Sequence, residues 1–351
     1  MSRVSTQSLK SADAPPVRAR DLGLVIGGGT PGTLNAITDV GGIRVGHATI
    51  HDDAREVHSG VTAIVHDDLV SSGNLPAGFF AGNGFGKFVG STQVVELGLI
   101  ETPVLLTATL STFRVADALI SWLRTTAATS VTSLNPIVGE VNDSWLTPQA
   151  DRPVRREHVF KALDSAIDGA VEMGNVGGGA GACALGFKAG IGSSSRLVEI
   201  RGRQHTVGIL VQANMTGELR LAGGLLTPRS IGLPAAGPHS AEGSCVVVVA
   251  TDIAMTARDL SRVARRGVFA LGRVGAAFAH GSGDYALSFS TVSKTAESLT
   301  PADIDIVFDA VLDSVEEAVI ESLLAAQTVR LSSGRTAFAI PHDAVSQRAA
   351  R

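Results

Sequence analysis

Cysteine, aromatic residues and long apolar runs are all scarce in this 351-residue chain. The two cysteines, Cys183 and Cys245, are too few for a disulfide framework, so reduced thiols and a cytoplasmic location are expected. No run of 18 apolar residues occurs, which argues against a membrane-spanning helix. The formal net charge is −4, so the chain lacks the positive excess that would neutralise nucleic-acid phosphates. Neither a membrane nor a nucleic acid is an expected partner.

Glycine, by contrast, is abundant: 40 of 351 residues, or about 11% against a background of roughly 7%. Because there is no Gly-X-Y period, this excess predicts tight turns and close backbone approaches rather than collagen. The polar residues 1–20 are predicted to form a flexible arm. The first apolar stretch, 22–26, is too short for a signal-peptide core. Apolar residues make up 44% of the chain, enough to bury a large core. The length would allow a little over two domains, and one large α/β unit fits equally well; we predict one domain over residues 21–351.

The apolar pattern predicts both strands and helices. The predicted strands cover residues 43–49, 60–66, 103–109, 206–213, 245–251 and 285–292. The predicted helices cover residues 153–174, a segment capped by Thr256, and a segment opened by Thr300-Pro301. Strands and helices are interspersed without a strict βαβ rhythm, which favours a layered α/β sandwich over a doubly wound parallel sheet.

Two motifs suggest ligands that the surrounding pattern does not favour. Residues 27–32 match G-x-G-x-x-G, but no clear helix follows them, so a plain turn is favoured over a dinucleotide site. His47, His51, His58 and His66 lie among aspartates, and the first two have a spacing that would suit zinc on a helix. Because residues 43–49 are predicted as a strand, a solvated loop is the favoured interpretation. A metal-dependent hydrolase using the His47–His66 cluster stays open as an alternative.

The sharpest feature is Gly243-Ser244, which stands just before a Val-rich strand. A backbone cut before Ser244 would place a hydroxyl and a free α-amine on one residue. An α-amine titrates near pH 7.7–8.0, so it can accept the hydroxyl proton at neutral pH. Gly243 has no Cβ to block attack on its own carbonyl. An ordinary serine that begins a strand is the alternative that composition alone would favour.

Three more residues could support such a nucleophile. Ser282 and Asp284 are two apart in Gly-Ser-Gly-Asp, so they share a face if the segment is extended. Asn214 ends a predicted strand, where its side-chain amide could donate a hydrogen bond to an oxyanion. The alternatives are a hairpin turn with a polar rim and an Asx-turn. No Gly-x-Ser-x-Gly elbow is present, which counts against an α/β-hydrolase.

Taken together, these segments resemble the DmpA/BapA family of L-aminopeptidase/D-esterases and β-peptidyl aminopeptidases. The likeness is colinear over roughly residues 20–330. The segments that carry it are 41–47 (GGIRVGH), 60–64 (GVTAI), 81–86 (AGNGFG), 135–143 (NPIVGEVND), 174–181 (GNVGGGAG), 186–192 (GFKAGIG), 243–244, 264–266, 272–273 and 281–284 (GSGD). Ser144-Trp145 and Cys245 depart from the family pattern, the first in a segment that shapes the substrate pocket.

The resemblance implies a four-layer αββα sandwich of the DmpA-like, N-terminal-nucleophile type. It implies a self-processing serine aminopeptidase or amidase that cuts itself between Gly243 and Ser244, into an α-chain of residues 1–243 and a β-chain of residues 244–351. Ser244 then matches the nucleophile, Ser282 and Asp284 the pair that orients it, and Asn214 the oxyanion-hole residue.

The same resemblance assigns substrate binding to Glu140 and Trp145. It implies small peptides, amides or esters as substrates, no metal or other cofactor, and a homo-oligomer of αβ units. A non-peptidase relative on the same self-cutting fold, such as an amide hydrolase or an acyltransferase, remains the second alternative.

Overall fold

The computed structural model describes residues 17–71, 73–126, 132–148, 152–237, 243–292 and 299–350. The strands within these ranges are β1 (Arg44–Asp52), β2 (Val57–Val65), β3 (Leu75–Gly84), β4 (Phe88–Val89), β5 (Leu99–Ile100), β6 (Val104–Ala108), β7 (Ile137–Val141), β8 (Cys183–Ala184), β9 (Phe187–Lys188), β10 (Ile191–Ile200), β11 (Arg203–Asn214), β12 (Arg220–Leu221), β13 (Gly224–Leu225), β14 (Ser244–Thr251), β15 (Gly283–Ser290), β16 (Val329–Arg330) and β17 (Thr336–Ala337). The helices are α1 (Ser91–Leu97), α2 (Thr112–Thr126), α3 (Arg156–Asp164), α4 (Ala257–Arg273), α5 (Pro301–Leu324) and α6 (His342–Ala349). Across the described ranges, none of these helices combines the length and apolarity needed to cross a membrane.

Two large sheets carry the fold. The five-stranded sheet has the order β1-β2-β6-β7-β4 and the six-stranded sheet the order β10-β11-β14-β15-β3-β5. Neighbouring strands run antiparallel except for β6 with β7 and β14 with β15, which are parallel. A parallel pair needs a crossover connection, and α4 supplies it between β14 and β15.

The sheets and helices stack as four layers. Helices α2 and α3 cover the outer face of the five-stranded sheet, while α4 and α5 cover the outer face of the six-stranded sheet. Between the sheets, Leu106 and Ile137 pack against Val246 and Leu287 in a separate apolar cluster. The predicted αββα sandwich is confirmed.

Strand β14 is buried on both faces because it lies between the two apolar layers. Cys245, Val247 and Val249 face the helices, whereas Val246 and Val248 face the other sheet. This alternation follows from the period of two in a strand. Burial on both faces explains why the sequence here is an unbroken apolar run. Each fully buried valine stabilises the fold by about 1.5–3 kcal/mol relative to an exposed one.

Both predicted caps are confirmed. The Thr256 hydroxyl accepts a hydrogen bond from the backbone N–H of Asp259 at the start of α4. At the start of α5, Thr300 caps the helix in the same way and Pro301 follows it. Both hydroxyls satisfy amide donors that the first turn of a helix leaves without partners. Helices α4 and α5 are therefore held at fixed starting points on the six-stranded sheet.

Two sequence predictions differ from the structure. The helix predicted over 153–174 is shorter, since α3 ends at Asp164 and Ile167 then exchanges backbone hydrogen bonds with Val45 on β1. This isolated bridge joins the segment to β1, the edge strand of the five-stranded sheet. Residues 18–20, predicted to belong to the arm, instead pack on α5, where the Ala19 N–H donates to Glu321. Residues 1–16 lie outside the described residues.

Candidate active site

Ser244 stands at one end of the six-stranded sheet, where four strand termini meet. It is the first residue of β14 and only 4% exposed. Its register partner on β11 is Asn214, the last residue of that strand, and its partner on β15 is Gly283, the first residue there. Gly283 in turn pairs with Gly84 at the end of β3. The sheet topology thus brings the predicted nucleophile, the predicted oxyanion donor and the Ser282–Asp284 segment to one edge.

The carbonyl group before Ser244 is already engaged by a donor. The backbone N–H of Gly283 donates to the Gly243 carbonyl oxygen at 3.2 Å and lies 3.4 Å from Ser244 Oγ. A Cβ added at Gly243 would lie 2.8 Å from the backbone nitrogen of Thr216, closer than real Cβ contacts come. The approach of these backbones therefore requires glycine at position 243.

Ser282 and Asp284 form a buried pair beside the nucleophile. The Ser282 hydroxyl donates to Asp284 Oδ1 at 2.9 Å, so the predicted shared face is confirmed. Asp284 pairs in register with Cys245, so both side chains lie on the face of the sheet that is covered by helices. Ser244 lies on the opposite face of β14, the face from which Val246 packs against the other sheet. The carboxylate therefore flanks Ser244 from the opposite face of its strand.

The environment of Asp284 disfavours its ionised form. Burial raises the pKa of this carboxyl to about 6, although the hydrogen bond from Ser282 acts in the opposite direction. Its Oδ2 atom is buried and has no hydrogen-bond partner among the described residues. A carboxyl group in this state can accept a further donor, and it changes charge close to neutral pH.

The side-chain amide of Asn214 is fixed at both ends. Its Oδ1 atom accepts a hydrogen bond from the backbone N–H of Cys183 at 3.0 Å, and its Nδ2 donates to the carbonyl of Asn142 at 3.0 Å. These partners define which end of the amide carries the N–H groups. One hydrogen of Nδ2 is left for another acceptor.

Glu140, on β7, approaches the same edge from the other sheet. Its Oε1 atom accepts a hydrogen bond from the Lys87 backbone N–H at 2.9 Å. The same oxygen packs so closely on Gly86 that a Cβ added there would lie only 2.9 Å from it. Gly86 in turn touches Gly283. Burial raises the pKa of Glu140, while Lys87 lowers it. Its Oε2 atom is buried with no hydrogen-bond partner in the part of the chain that the structure describes.

Trp145 lies on the Asn214 side of the site. Its half-buried ring packs against a small apolar cluster that includes Leu146, Cys183 and Ala236. That cluster contains Cys183, whose backbone N–H donates to Asn214 Oδ1. The structure brings Ser244, Asn214, Ser282, Asp284 and Glu140 to this edge, and it places Trp145 against the cluster that contains Cys183.

The histidines do not form a comparable centre. His47 and His51 lie on strand β1 and His58 lies on strand β2, so the strand predicted at 43–49 is confirmed for His47. The favoured solvated loop is wrong for His51 and His58, because the two strands extend further than the pattern predicted. His47 bonds Thr62, and burial lowers its pKa to about 4, while His51 contacts His58. No group of three or more His, Cys, Asp or Glu side chains within the described ranges is arranged to hold a metal ion. On a strand, the spacing of four residues between His47 and His51 gives side chains on one face that are too far apart along the chain to act as the helical zinc pair that the spacing suggested.

Backbone groups are what the sequence reasoning missed. The N–H groups of Gly283 and Cys183 and the carbonyl of Asn142 make contacts that no side-chain type announces. Gly283 and Asn142 lie inside the quoted segments 281–284 and 135–143, which is the signal that could have located them, whereas Cys183 lies in none of the quoted segments.

Comparison with known proteins identifies the class of enzyme. The profile of Peptidase family S58 matches residues 35–337. Over 364 aligned positions, the chain is 35% identical to β-peptidyl aminopeptidase BapA of Sphingosinicella microcystinivorans, covering 95% of this chain and 91% of that protein.

Two solved structures agree. The β-aminopeptidase of Burkholderia sp. superposes with a TM-score of 0.87 at 33% identity, covering 95% of this chain and 98% of that one. The L-aminopeptidase D-Ala-esterase/amidase of Ochrobactrum anthropi, described as a prototype for the serine aminopeptidases and a variant of the Ntn hydrolase fold, superposes with a TM-score of 0.85 at 34% identity, covering 94% and 97%.

Fold and site together define a hydrolase of the N-terminal-nucleophile type. The chain belongs to peptidase family S58 and is an aminopeptidase. The resemblance stated from the sequence, the fold class and the enzyme class are thereby confirmed.

Proposed function

We propose that this aminopeptidase activates itself by cutting the Gly243–Ser244 bond and then works through an acyl-enzyme on Ser244. The observation that carries the proposal is the meeting of Ser244, Gly283, Asn214 and the Ser282–Asp284 pair at one end of the sheet.

In the first reaction, Ser244 Oγ attacks the Gly243 carbonyl carbon. The C–N bond to Ser244 breaks, an ester forms on the hydroxyl, and the released nitrogen takes the proton to become an amine. Water then hydrolyses the ester, which leaves a carboxylate on Gly243 and a free hydroxyl and α-amine on Ser244. The Gly283 N–H supports this step because its hydrogen bond already polarises the carbonyl that is attacked.

In turnover, the freed amine of Ser244 takes the proton from its own hydroxyl as that oxygen attacks the substrate carbonyl. The second hydrogen of Asn214 Nδ2 stabilises the developing oxyanion. The leaving amine or alcohol departs with a proton, and water releases the amino acid from Ser244. Asp284 and Ser282 accept and orient the α-amine, since Oδ2 of Asp284 has no donor within the described ranges of the chain.

Substrates are small peptides, amides or esters with a free amino terminus. Glu140 binds that ammonium group through its Oε2 atom, which has no hydrogen-bond partner among the residues that the structure describes. Trp145 borders the site on the Asn214 side and contacts the substrate side chain. We further propose a cytoplasmic homo-oligomer of αβ units that needs no cofactor, which sedimentation of the processed protein and assay after chelation would test.

Replacing the proposed oxyanion donor tests the chemistry. Asn214→Ala is expected to slow kcat by about 10²–10³-fold, the usual loss for one oxyanion-hole donor. The measurement is steady-state hydrolysis of an aminoacyl p-nitroanilide. Asn135→Ala, which removes an exposed amide, is the matched control and should leave kcat unchanged. An Asn214→Ala enzyme with the wild-type kcat would remove Asn214 from the mechanism.

Replacing Glu140 tests the amino-terminal binding site. Glu140→Gln is expected to raise KM by about 10–100-fold, because hydrogen bonds to charged groups contribute roughly 1.5–3 kcal/mol. Self-cleavage should proceed as in the wild type, since it involves no substrate ammonium. Glu199→Gln, at an exposed position near the far end of β10, is the control. If Glu140→Gln binds substrate as tightly as the wild type, the carboxylate has another role.

A further inference from the structure

Lys188 is a fully buried cation that the proposed chemistry does not use. It ends strand β9 and is 0% exposed. Its Nζ donates to the carbonyl oxygens of Ala189 at 2.6 Å, Ala182 at 2.9 Å and Gly179 at 3.4 Å. An ammonium group has three N–H donors, and here each one has a carbonyl acceptor. Burying a charge costs several kcal/mol unless it is bonded in this way.

The carbonyls that Lys188 holds belong to the loop behind Asn214. Gly179 and Ala182 lie in the glycine-rich segment that leads into β8, and the Ala189 N–H donates back to Ala182. Lys188 is the direct register partner of Cys183 in the β8–β9 pair. Cys183 is the residue whose N–H donates to Asn214 Oδ1. One strand pair therefore joins the buried ammonium to the donor that orients the asparagine.

The groups around Lys188 keep it protonated at neutral pH. Burial lowers its pKa to about 8, while nearby Cys183 and Asp143 act in the opposite direction. His51 and His58 also face it, and the Lys188 charge lowers the pKa of both. Below pH 8 all three donors are thus present, so the loop carbonyls remain bound.

We propose that Lys188 is the positioning residue for the oxyanion donor. By holding residues 179–183 in place, it keeps the Cys183 N–H on Asn214 Oδ1, so that Nδ2 and not Oδ1 is offered to the developing oxyanion. A flipped amide would direct oxygen against oxygen. This inference rests on the role proposed above for Asn214.

The test is a double-mutant cycle of Lys188→Met with Asn214→Ala, with kcat and KM measured separately. Lys188→Met alone is expected to lower kcat by about 10–100-fold, within the loss for a full donor, with KM within about twofold of wild type. Self-cleavage should continue, because Gly283 serves that step. In the Asn214→Ala background, adding Lys188→Met should lower kcat by less than about a further twofold.

Three results would each overturn the positioning role. The first is a double variant whose loss of kcat equals the product of the losses in the two single variants. The others are a Lys188→Met variant in which only KM changes, and one in which self-cleavage and turnover slow equally. If Asn214→Ala alone kept the wild-type kcat, the proposed function would fail first, and this result is distinct from the others. Lys188→Gln, which keeps two N–H donors without a charge, replaces Lys188→Met in the cycle should circular dichroism find the Met variant unfolded.

Discussion

Ser244→Ala is expected to remain one uncut chain and to lose aminopeptidase activity by about 10⁴–10⁶-fold, the range seen when a serine nucleophile is removed. Both effects have one cause, because the same hydroxyl attacks the Gly243 carbonyl during processing and the substrate carbonyl during turnover. Denaturing electrophoresis and an anilide assay on the same sample measure the two effects together.

Two variants sharpen this result. Ser244→Cys keeps a nucleophilic atom and should retain part of the self-cleavage. Ser230→Ala, at an exposed turn, should cleave and turn over like the wild type. A Ser244→Ala protein that hydrolyses anilides at an undiminished rate would remove this serine from the mechanism.

Asp284→Asn is expected to slow turnover by about 10²–10⁴-fold, as the loss of an orienting carboxylate does in related catalytic arrangements. The asparagine can still accept the Ser282 hydrogen bond, so geometry is kept and charge is removed. In the uncut chain, burial raises the pKa of this carboxyl to about 6, and the freed α-amine of Ser244 would lower it in the mature enzyme. Wild-type activity should therefore rise with pH at or below about 6, and this rise should disappear in the variant. Asp305→Asn, at an exposed position, should preserve that rise.

The same substitution should make the fold more stable at neutral pH. The pKa of Asp284 is raised from 3.8 to about 6, so the folded state binds the proton more tightly than the unfolded chain. The free energy of unfolding then increases as pH falls from 6 to 4, and above pH 6 the buried charge lowers it by up to about 3 kcal/mol.

Measured in the uncut Ser244→Ala background, Asp284→Asn should therefore unfold at a higher temperature at pH 7.5. This gain should vanish near pH 4, where the aspartic acid is itself neutral. A variant less stable than its parent at pH 7.5 would contradict the assignment of a buried, costly carboxylate.

The fold was largely predictable because its strongest determinants are local. The apolar run of β14, the caps at Thr256 and Thr300, and the mixture of strands and helices each follow from periodicity and capping. The helix predicted over 153–174 failed because pairing of Ile167 with Val45 depends on a strand more than a hundred residues away. Local periodicity carries no information about such a partner.

The site was predictable only through the family resemblance. The local pattern at Gly243-Ser244 suggests a nucleophile, but composition alone favours an ordinary serine at the start of a strand. Its neighbours Asn214 and Gly283 come together only through the strand order β11-β14-β15. The backbone N–H groups of Gly283 and Cys183 have no residue-type signature at all, so only the assembled register locates them. The roles assigned to these residues stay predictions until the variants are assayed.

The intact mass of purified, active wild-type protein tests the central claim most directly. The account predicts two polypeptides that copurify, one ending at Gly243 and the other beginning at Ser244 with a free α-amine. A single unbroken 351-residue chain that hydrolyses its substrates at the full rate would contradict it.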